Sequence, residues 1–369
     1  MNAEKITVEF LPNEKGHSNM CKSSLISNFL ILLIATSLIS WCSDENTSEE
    51  TPVKQSIEET TPYWTQIECS SRPERRASMM MAYDSKRNKL VLFGGEISYP
   101  SWDYFGDTWE FDGEEWQKIE TEHAPQKRSR GGFCYSKTLE KCILFGGYGE
   151  NGKHYNDTWT YDGQDWVKRD TATSPPARKE FAMVFDGNIN RVLIFGGEKQ
   201  NDNILNDFWS FDGITWTLID LEIHPTHRVQ AKMVYDSNRK KTVLFGGNYG
   251  MTFFNDTWEY DGVKWDKIET IHKVSPKRNF FGLCYDTFQR KCLLFGGSNI
   301  FSLPSKFNDI WEYNGSDWFK LDISDSPSPR WGVEFEYFNK DYKTILFGGF
   351  DSQTRNIDDT WAYSTVILH

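Results

Sequence analysis

Short apolar segments alternate with polar, glycine-containing turns along most of the chain, in a pattern that repeats about every 50 residues. In each unit a small apolar stretch such as 79–83 is followed by a second one such as 90–93. A third segment carries Asp-x-Trp, and a fourth begins at another tryptophan after an Asp-Gly or Asn-Gly turn. Short segments bounded by such turns predict four antiparallel strands per unit.

Two motifs define the repeat. Phe-Gly-Gly occurs six times, at intervals of 52, 50, 50, 50 and 52 residues, and an Asp-x-Trp follows each copy. A second tryptophan follows the first five Asp-x-Trp motifs seven residues later. Self-similarity at this period is typical of propellers in which each repeat is one blade. The glycine motifs begin at Phe93, Phe145, Phe195, Phe245, Phe295 and Phe347, and the second tryptophans are Trp116, Trp166, Trp216, Trp265 and Trp318.

On these motifs the chain resembles the kelch family from residue 63 to about residue 365. The resemblance implies an all-β fold, a six-bladed kelch β-propeller over residues 63–369. One blade cannot bury both faces of its sheet, so the blades stack and the ring closes. The family includes copper-containing oxidases of the galactose oxidase type, bacterial sialic-acid epimerases and many binding modules, so the fold does not fix an activity.

The sixth repeat lacks its second tryptophan and ends at Trp361-Ala-Tyr. A segment at the other end of the domain, residues 63–67 with Trp64, matches the fourth strand of the other repeats. We therefore predict that residues 63–67 complete the last blade, which removes exposed sheet edges.

The N-terminal 42 residues have the features of a targeting segment. Residues 29–39 are apolar and too short for a membrane span, which favours a signal peptide with translation starting at Met20. The residues before Cys42 resemble a bacterial lipobox, although Trp41 departs from that pattern, and predict lipidation of Cys42. A cleaved secretory signal and an uncleaved anchor are the alternatives. The acidic, Ser/Thr-rich residues 43–62 predict a disordered tether.

These features predict an exported protein: an outer-membrane or cell-surface lipoprotein, or otherwise a periplasmic or extracellular one. The membrane contact would be made through the N-terminal lipid only. A net charge of −12 argues against nucleic acid as a partner. An aromatic content of 15% excludes disorder over most of the chain.

Each repeat has an arginine seventeen residues before its Phe-Gly-Gly. One interpretation is structural: each arginine bonds backbone carbonyls and ties neighbouring blades. The other is a ring of guanidiniums at the channel mouth that binds an acidic peptide, protein or glycan, since arginine suits carboxylates. In kelch adaptors of ubiquitin ligases similarly placed arginines contact acidic peptides, which the resemblance implies here. The six are Arg76, Arg128, Arg178, Arg228, Arg278 and Arg330.

The loops between the second and third strands carry aromatic residues that differ from blade to blade. Such loops on a rigid scaffold are where binding residues concentrate. We predict that Trp102, Tyr104, Tyr155 and Phe254 belong to a ligand site; the alternative is that these rings cover the blade tops.

The sequence favours a binding module over an enzyme. No cofactor is predicted, because the tyrosine, cysteine and histidine set that copper oxidases require cannot be placed. No metal site is predicted either, since His224-x-x-His227 lacks further ligands. Glu334 and Glu336 replace apolar residues on the sixth inner strand and are a catalytic or binding hint. The alternative function is an enzyme acting on acidic sugars, similar to a sialic-acid epimerase.

Two blades have cysteine at the same two positions on their first two strands. Placed symmetrically about the turn, these side chains are predicted to face each other and form disulfides Cys134–Cys142 and Cys284–Cys292, which an exported protein would retain. The alternative is four buried free thiols.

Overall fold

Six four-stranded antiparallel sheets, the blades, follow one another in a ring in the computed structural model of the chain, which describes residues 57–98, 102–351, 353 and 355–368. Residues 61–365 form one compact unit, and the other described residues, 57–60 and 366–368, are extended. The first strand of each blade packs against the first strand of the next, including the sixth against the first. The chain is therefore the all-β, six-bladed propeller that the repeats predict.

The strands of each blade are given from the first, at the channel, to the fourth, at the rim. Blade 1 has Met80–Asp84, Lys89–Phe93, Thr108–Phe111 and Trp116–Ile119, and blade 2 has Gly132–Ser136, Lys141–Phe145, Thr158–Tyr161 and Trp166–Arg169. Blade 3 has Ala182–Asp186, Arg191–Phe195, Phe208–Phe211 and Trp216–Ile219, and blade 4 has Lys232–Asp236, Lys241–Phe245, Thr257–Tyr260 and Trp265–Ile268. Blade 5 has Gly282–Asp286, Lys291–Phe295, Ile310–Tyr313 and Trp318–Leu321, and blade 6 has Glu334–Phe338, Lys343–Phe347, Thr360–Leu368 and Ile57–Ile67.

Two-residue strands pair with one another in the loops on one face of the propeller. They are Glu96–Ile97 with Asp103–Tyr104, Tyr148–Gly149 with Lys153–His154, Glu198–Lys199 with Asn203–Ile204, Asn248–Tyr249 with Thr252–Phe253, and Arg330–Trp331 with Phe350–Asp351. A single 3-10 turn, Glu150–Gly152, is the one helical element among the described residues. No helix in this part of the chain has the length and apolar character needed to cross a membrane.

The N-terminal strand closes the ring, as predicted. Ile57–Ile67 pairs with Thr360–Leu368 of blade 6. Trp64 packs between blades 5 and 6, with ring centroids 5.0 Å from Phe295 and 5.4 Å from Tyr363. The strand begins earlier than the predicted residue 63, so residues 57–62 are not part of a disordered tether. Backbone pairing with the last strand accounts for this, because it needs no apolar side chains.

The predicted signal peptide, the start at Met20, the lipidation site Cys42 and residues 43–56 of the tether lie outside the described residues.

The second tryptophan of each repeat fills the contact between two blades. These five indoles are at most 1% exposed. Trp166 Nε1 donates a hydrogen bond of 2.9 Å to Thr108 Oγ1 of the preceding blade, and Trp216 makes the same bond to Thr158. All five tryptophans join neighbouring sheets by apolar packing, and four of them add one directional bond. The exception is Trp265, whose Nε1 has no partner among the described residues.

The predicted disulfides are wrong. All five described cysteines are free thiols. In blade 2, Cys134 lies opposite Ile143, and Tyr135 lies opposite Cys142, so the register differs by one residue from the predicted one. A shift of one residue moves a side chain to the other face of the sheet. Cys134 accordingly packs in the apolar cluster shared with blade 3, and Cys142 in the one shared with blade 1.

Blade 5 repeats this arrangement. Cys284 lies opposite Leu293 and packs towards blade 6, whereas Cys292 lies opposite Tyr285 and packs towards blade 4. Burial raises the pKa of all four thiols. The alternative reading, buried thiols that behave as small apolar residues, describes these cysteines.

A half-buried arginine site recurs three blades apart. Arg87 of blade 1 bonds Asp84 at 2.7 Å and Glu110 at 2.6 Å, and Tyr161 of blade 2 donates to the same Glu110 at 2.9 Å. Blades 4 and 5 contain the same four residue types at matching distances. They are Arg239, Asp236, Glu259 and Tyr313. With the cysteine pairs of blades 2 and 5, this gives the scaffold a twofold pseudosymmetry of three-blade halves.

Candidate functional site

The repeated arginines are buried structural residues. Arg128 is fully buried, and its guanidinium donates to both carboxylate oxygens of Asp157, at 2.6 and 3.0 Å. It also donates to the carbonyl of Gly146 at 3.0 Å. The other five arginines make the same contacts with the repeated aspartates Asp107, Asp207, Asp256, Asp309 and Asp359.

The carboxylate of the pair is shared with a tryptophan. Asp157 also accepts a hydrogen bond of 2.8 Å from Trp159 Nε1. Burial by itself would raise the pKa of Asp157, but the bonds and charge of Arg128 outweigh it, and the pKa is lowered. The prediction that these arginines present free guanidiniums to an anionic ligand is therefore wrong, because their donors already face a half-buried carboxylate.

The backbone of the same arginine connects two blades. Gly95 N of blade 1 donates to Arg128 O at 2.9 Å, and Arg128 N donates to Phe105 O at 3.0 Å. Gly94 has a φ of +68°, and a Cβ placed there would lie 2.3 Å from Arg128 O. The glycine pair is thus required for this close approach between blades. The structural interpretation of the arginines holds, with the blade contact made by the arginine backbone.

Several loop aromatics cover these arginines. The Tyr155 ring centroid lies 3.9 Å from Arg128 Cζ, and the Phe254 centroid lies 4.5 Å from Arg228 Cζ. One face of each ring is occupied, so Tyr155 and Phe254 are covering residues as much as candidates for ligand contact. Tyr104 is buried near Tyr148, with centroids 6.0 Å apart. Trp102 is 55% exposed on its loop, and its place in a ligand site stays a prediction.

The channel opens at a ring formed by the residue two positions after each repeated arginine. All six of these residues have a positive φ, between 52° and 67°. Their backbones bond one another around the axis: Arg130 N donates to Ser78 O at 2.9 Å, and Glu180 N donates to Arg130 O at 2.8 Å. We call this ring the channel mouth, and its members are Ser78, Arg130, Glu180, Gln230, Phe280 and Gly332.

The channel mouth was missed in the sequence, although a signal for it exists. The arginine is the same in every repeat, whereas the residue two positions later is different in all six. A position held in one backbone conformation but filled by six residue types is not dictated by the scaffold. Its side chains are free to serve a ligand.

One side of the channel mouth is charged. Arg130 bonds Glu96 at 2.7 Å and Glu180 at 2.5 Å. Gln230 donates to the other oxygen of Glu180 at 2.6 Å and accepts from Asn279 at 2.6 Å. These side chains are fixed by one another, which holds their remaining donors and acceptors in place.

Ser78 differs from the other polar members of the channel mouth. Its hydroxyl has no hydrogen-bond partner among the described residues, although Ser78 is only 8% exposed. The neighbouring ring member is Gly332, where a Cβ would lie only 3.3 Å from Ser78 Oγ. The missing side chain leaves room beside the hydroxyl. An unpaired buried hydroxyl is costly unless something bonds it.

Below the ring lies a small cavity of about 60 Å³. Arg130 and Phe280 belong to blades 2 and 5, on opposite sides, and Arg130 Cζ lies 5.8 Å from the Phe280 ring centroid. The entrance is therefore narrow. It admits the end of a ligand and excludes a folded domain.

An ion pair crosses the channel beneath the mouth. Lys232 Nζ of blade 4 lies 2.9 Å from Glu334 Oε1 of blade 6, and both line the cavity. Glu336 is half-buried two residues further along the same strand. Burial, and secondarily the nearby Glu334, raises the pKa of Glu336 to about 8. Burial also raises the pKa of Glu334, against the attraction of Lys232.

The remaining titratable clusters have structural explanations. Glu122, His123 and Asp165 lie close together on the surface. His123 donates its backbone N–H to Asp165 and bonds it through Nδ1 at 2.7 Å, and His272 makes the same two contacts with Asp317. This repeated contact fastens the loop between blades.

The tight histidine pair of the sequence has no common partner among the described residues. His224 Nδ1 lies 2.8 Å from the Pro225 carbonyl, while the His227 ring faces Tyr249 at 6.0 Å.

Comparison with known proteins identifies the fold. The family profile of the KLHDC2/KLHL20/DRC7 kelch-repeats domain matches residues 163–318. A solved structure described as "Structure of YjhT" superposes with a TM-score of 0.63 at 15% sequence identity, over 82% of this chain and 99% of that one. At this identity the likeness is one of fold. No curated protein matches the sequence.

Proposed function

Because the chain is a kelch-repeat β-propeller, we propose that it is a binding module that takes the end of a glycan into its channel mouth. The observation that carries the proposal is the unpaired, buried hydroxyl of Ser78 in the wall of the cavity. A ligand hydroxyl would supply its missing partner. Apolar walls that carry a few oriented polar groups are typical of small-molecule sites.

The charge of the cavity favours a polyhydroxylated ligand over a strongly acidic one. Its walls contain two cations, Arg130 and Lys232, and two carboxylates, Glu180 and Glu334. The six buried arginines add no free positive charge. Four of the six members of the channel mouth carry donors or acceptors, and sugar hydroxyls both donate and accept.

A peptide that pairs through its backbone fits this site less well. Backbone groups of the channel mouth already bond one another, as in Arg130 N to Ser78 O. The first strands are the inner edges of their sheets, but they face a narrow channel, which leaves little room for an extended chain to pair with them.

Isothermal titration after a glycan array tests the proposal. Ser78→Ala should weaken binding about threefold to tenfold, the value of one hydrogen bond. Ser210→Ala, on the third strand of blade 3, is the matched control and should leave the affinity unchanged. Absence of binding to every glycan, or equal affinities for Ser78→Ala and the wild type, would overturn the proposal. A preference for sialylated over neutral glycans would instead support the prediction that the ligand is acidic.

We further propose that the propeller is exported and anchored through a lipid on Cys42, as the sequence of the targeting segment predicts. Metabolic labelling with a palmitate analogue should mark the wild type but not Cys42→Ala. Label in both proteins, or in neither, would reject the lipid anchor.

A second candidate function is an enzyme that acts on acidic sugars. The observation that favours it is Glu336, whose pKa near 8 allows it to hold a proton at neutral pH beside a second carboxylate, as acid–base catalysts do. NMR of sialic acid anomers mixed with the protein would show faster interconversion, and Glu336→Gln would abolish it. A rate equal to that of buffer would exclude this reaction.

A further inference from the structure

Three aromatic rings form a row that starts in the channel mouth. Phe280 lines the cavity, and its ring centroid lies 4.8 Å from that of Trp331. Trp331 in turn lies 5.3 Å from Phe350. All three side chains are half-buried, so each presents part of its ring to solvent. The row, which we call the aromatic track, leads from the cavity outwards over blade 6.

The backbone under the aromatic track is held in place. Trp331 and Phe350 face each other in the two-residue strand pair of the blade 6 loop. At the outer end, Lys306 donates to the Asp351 carbonyl at 2.5 Å and its Nζ lies 4.8 Å from the Phe350 centroid. The rings are therefore positioned before any ligand arrives, which lowers the entropic cost of binding.

The scaffold does not require these aromatics. Three blades earlier, in the other half of the pseudosymmetric propeller, the equivalent residues are Arg130, Lys179 and Glu198. Those residues are paired by charge: Lys179 bonds Glu198 at 3.0 Å, and Arg130 bonds two glutamates. One half of the top face thus has charged groups where the other half has the aromatic track.

This asymmetry fits a carbohydrate chain. A sugar ring has an apolar C–H face and a rim of hydroxyls, so it can stack on an aromatic ring while its rim bonds polar groups. Flat aromatic side chains provide large contact area at small entropic cost. The charged side of the channel mouth provides the donors and acceptors for the rim.

We propose that the aromatic track binds the sugar units that follow the one held in the channel mouth, which makes the ligand an oligosaccharide. The inference rests on the proposed function. Trp331, as the middle ring, contributes to the affinity for oligomers without touching the terminal unit. Each stacked ring is expected to strengthen binding about threefold to tenfold.

Titrations with glucose, N-acetylglucosamine and sialic acid, each beside its linear oligomers, test this. For the sugar that binds, the oligomer should bind at least about tenfold more tightly than the monosaccharide. Trp331→Ala should remove most of that advantage and leave the monosaccharide affinity unchanged. Phe319→Ala, at an exposed aromatic residue on the fourth strand of blade 5 and away from the track, is the control and should bind like the wild type.

The failures of the two proposals are distinguishable. If no sugar binds, the proposed function fails. If monosaccharides bind but oligomers bind no more tightly, or if Trp331→Ala weakens both alike, the track proposal fails and the function of the channel mouth stands. Phe350→Leu, a milder change at the outer ring, keeps the test open if Trp331→Ala does not fold. It should reduce only the oligomer affinity.

Discussion

Lys232 of blade 4 reaches across the channel to Glu334 of blade 6, with Nζ and Oε1 2.9 Å apart. The pair joins two blades that are not neighbours, and both side chains line the cavity. Glu336, on the same strand, has no ion-pair partner among the described residues, and burial together with the nearby Glu334 raises its pKa against the weaker attraction of Lys232.

The raised pKa of Glu336 predicts a pH dependence of stability. Its pKa is about 8 in the folded protein and near 4.5 in the unfolded chain, so the folded state binds the proton more tightly. The contribution of Glu336 to the free energy of unfolding is fully present below pH 4.5. It is lost as the pH rises through 8, a change on the order of 1–3 kcal/mol. Glu336→Gln should therefore gain stability relative to the wild type between pH 5 and pH 9.

Urea unfolding at several pH values measures this difference. Glu120→Gln, at an exposed position, is the control and should track the wild type at every pH. A constant stability difference between Glu336→Gln and the wild type would show that Glu336 does not titrate in this range.

The arginine–aspartate pairs predict that the repeated arginines matter for stability. Arg128→Ala leaves the half-buried Asp157 without its partner and removes a fully buried side chain, which should cost about 2–4 kcal/mol. We expect a lower thermal midpoint, while Arg191→Ala, an exposed control on the second strand of blade 3, should leave the midpoint unchanged. A reduced affinity for acidic ligands at an unchanged midpoint would support the anion-binding interpretation instead.

Ring closure predicts a large effect at Trp64. Trp64 is 7% exposed, and replacing such an indole by alanine costs about 3–5 kcal/mol. Trp64→Ala and a chain lacking residues 57–67 should both melt at lower temperature than the wild type. Trp102→Ala should melt like the wild type, and equal midpoints for Trp64→Ala would contradict closure by this strand.

Because the described cysteines are free thiols, we expect reductant to leave the stability of the protein unchanged. Alkylation of the unfolded, unreduced protein should label Cys69, Cys134, Cys142, Cys284 and Cys292, as read by mass spectrometry. The melting temperature should be the same with and without reductant. If both cysteines of one blade remained unlabelled, the result would support the predicted disulfide in that blade.

Local sequence determined the architecture of this protein. The period of the Phe-Gly-Gly and Asp-x-Trp motifs predicts six blades. The match between the segment around Trp64 and the fourth strand of the other repeats predicts that the N-terminal strand completes the last blade. These inferences succeed because turn residues and alternating apolar positions act over a few residues, and because the same solution recurs six times.

Tertiary structure decided which residues are available for function. The charge of Arg128 is visible in the sequence, but only the fold shows that its guanidinium is paired with the carboxylate of Asp157. A one-residue difference in register places Cys134 and Cys142 on opposite faces of a blade, which spacing alone does not resolve. Ser78 and Phe280 lie about 200 residues apart in the chain and meet at the channel mouth only because the ring closes. Contacts between distant parts of a chain depend on packing and closure, which no local pattern encodes.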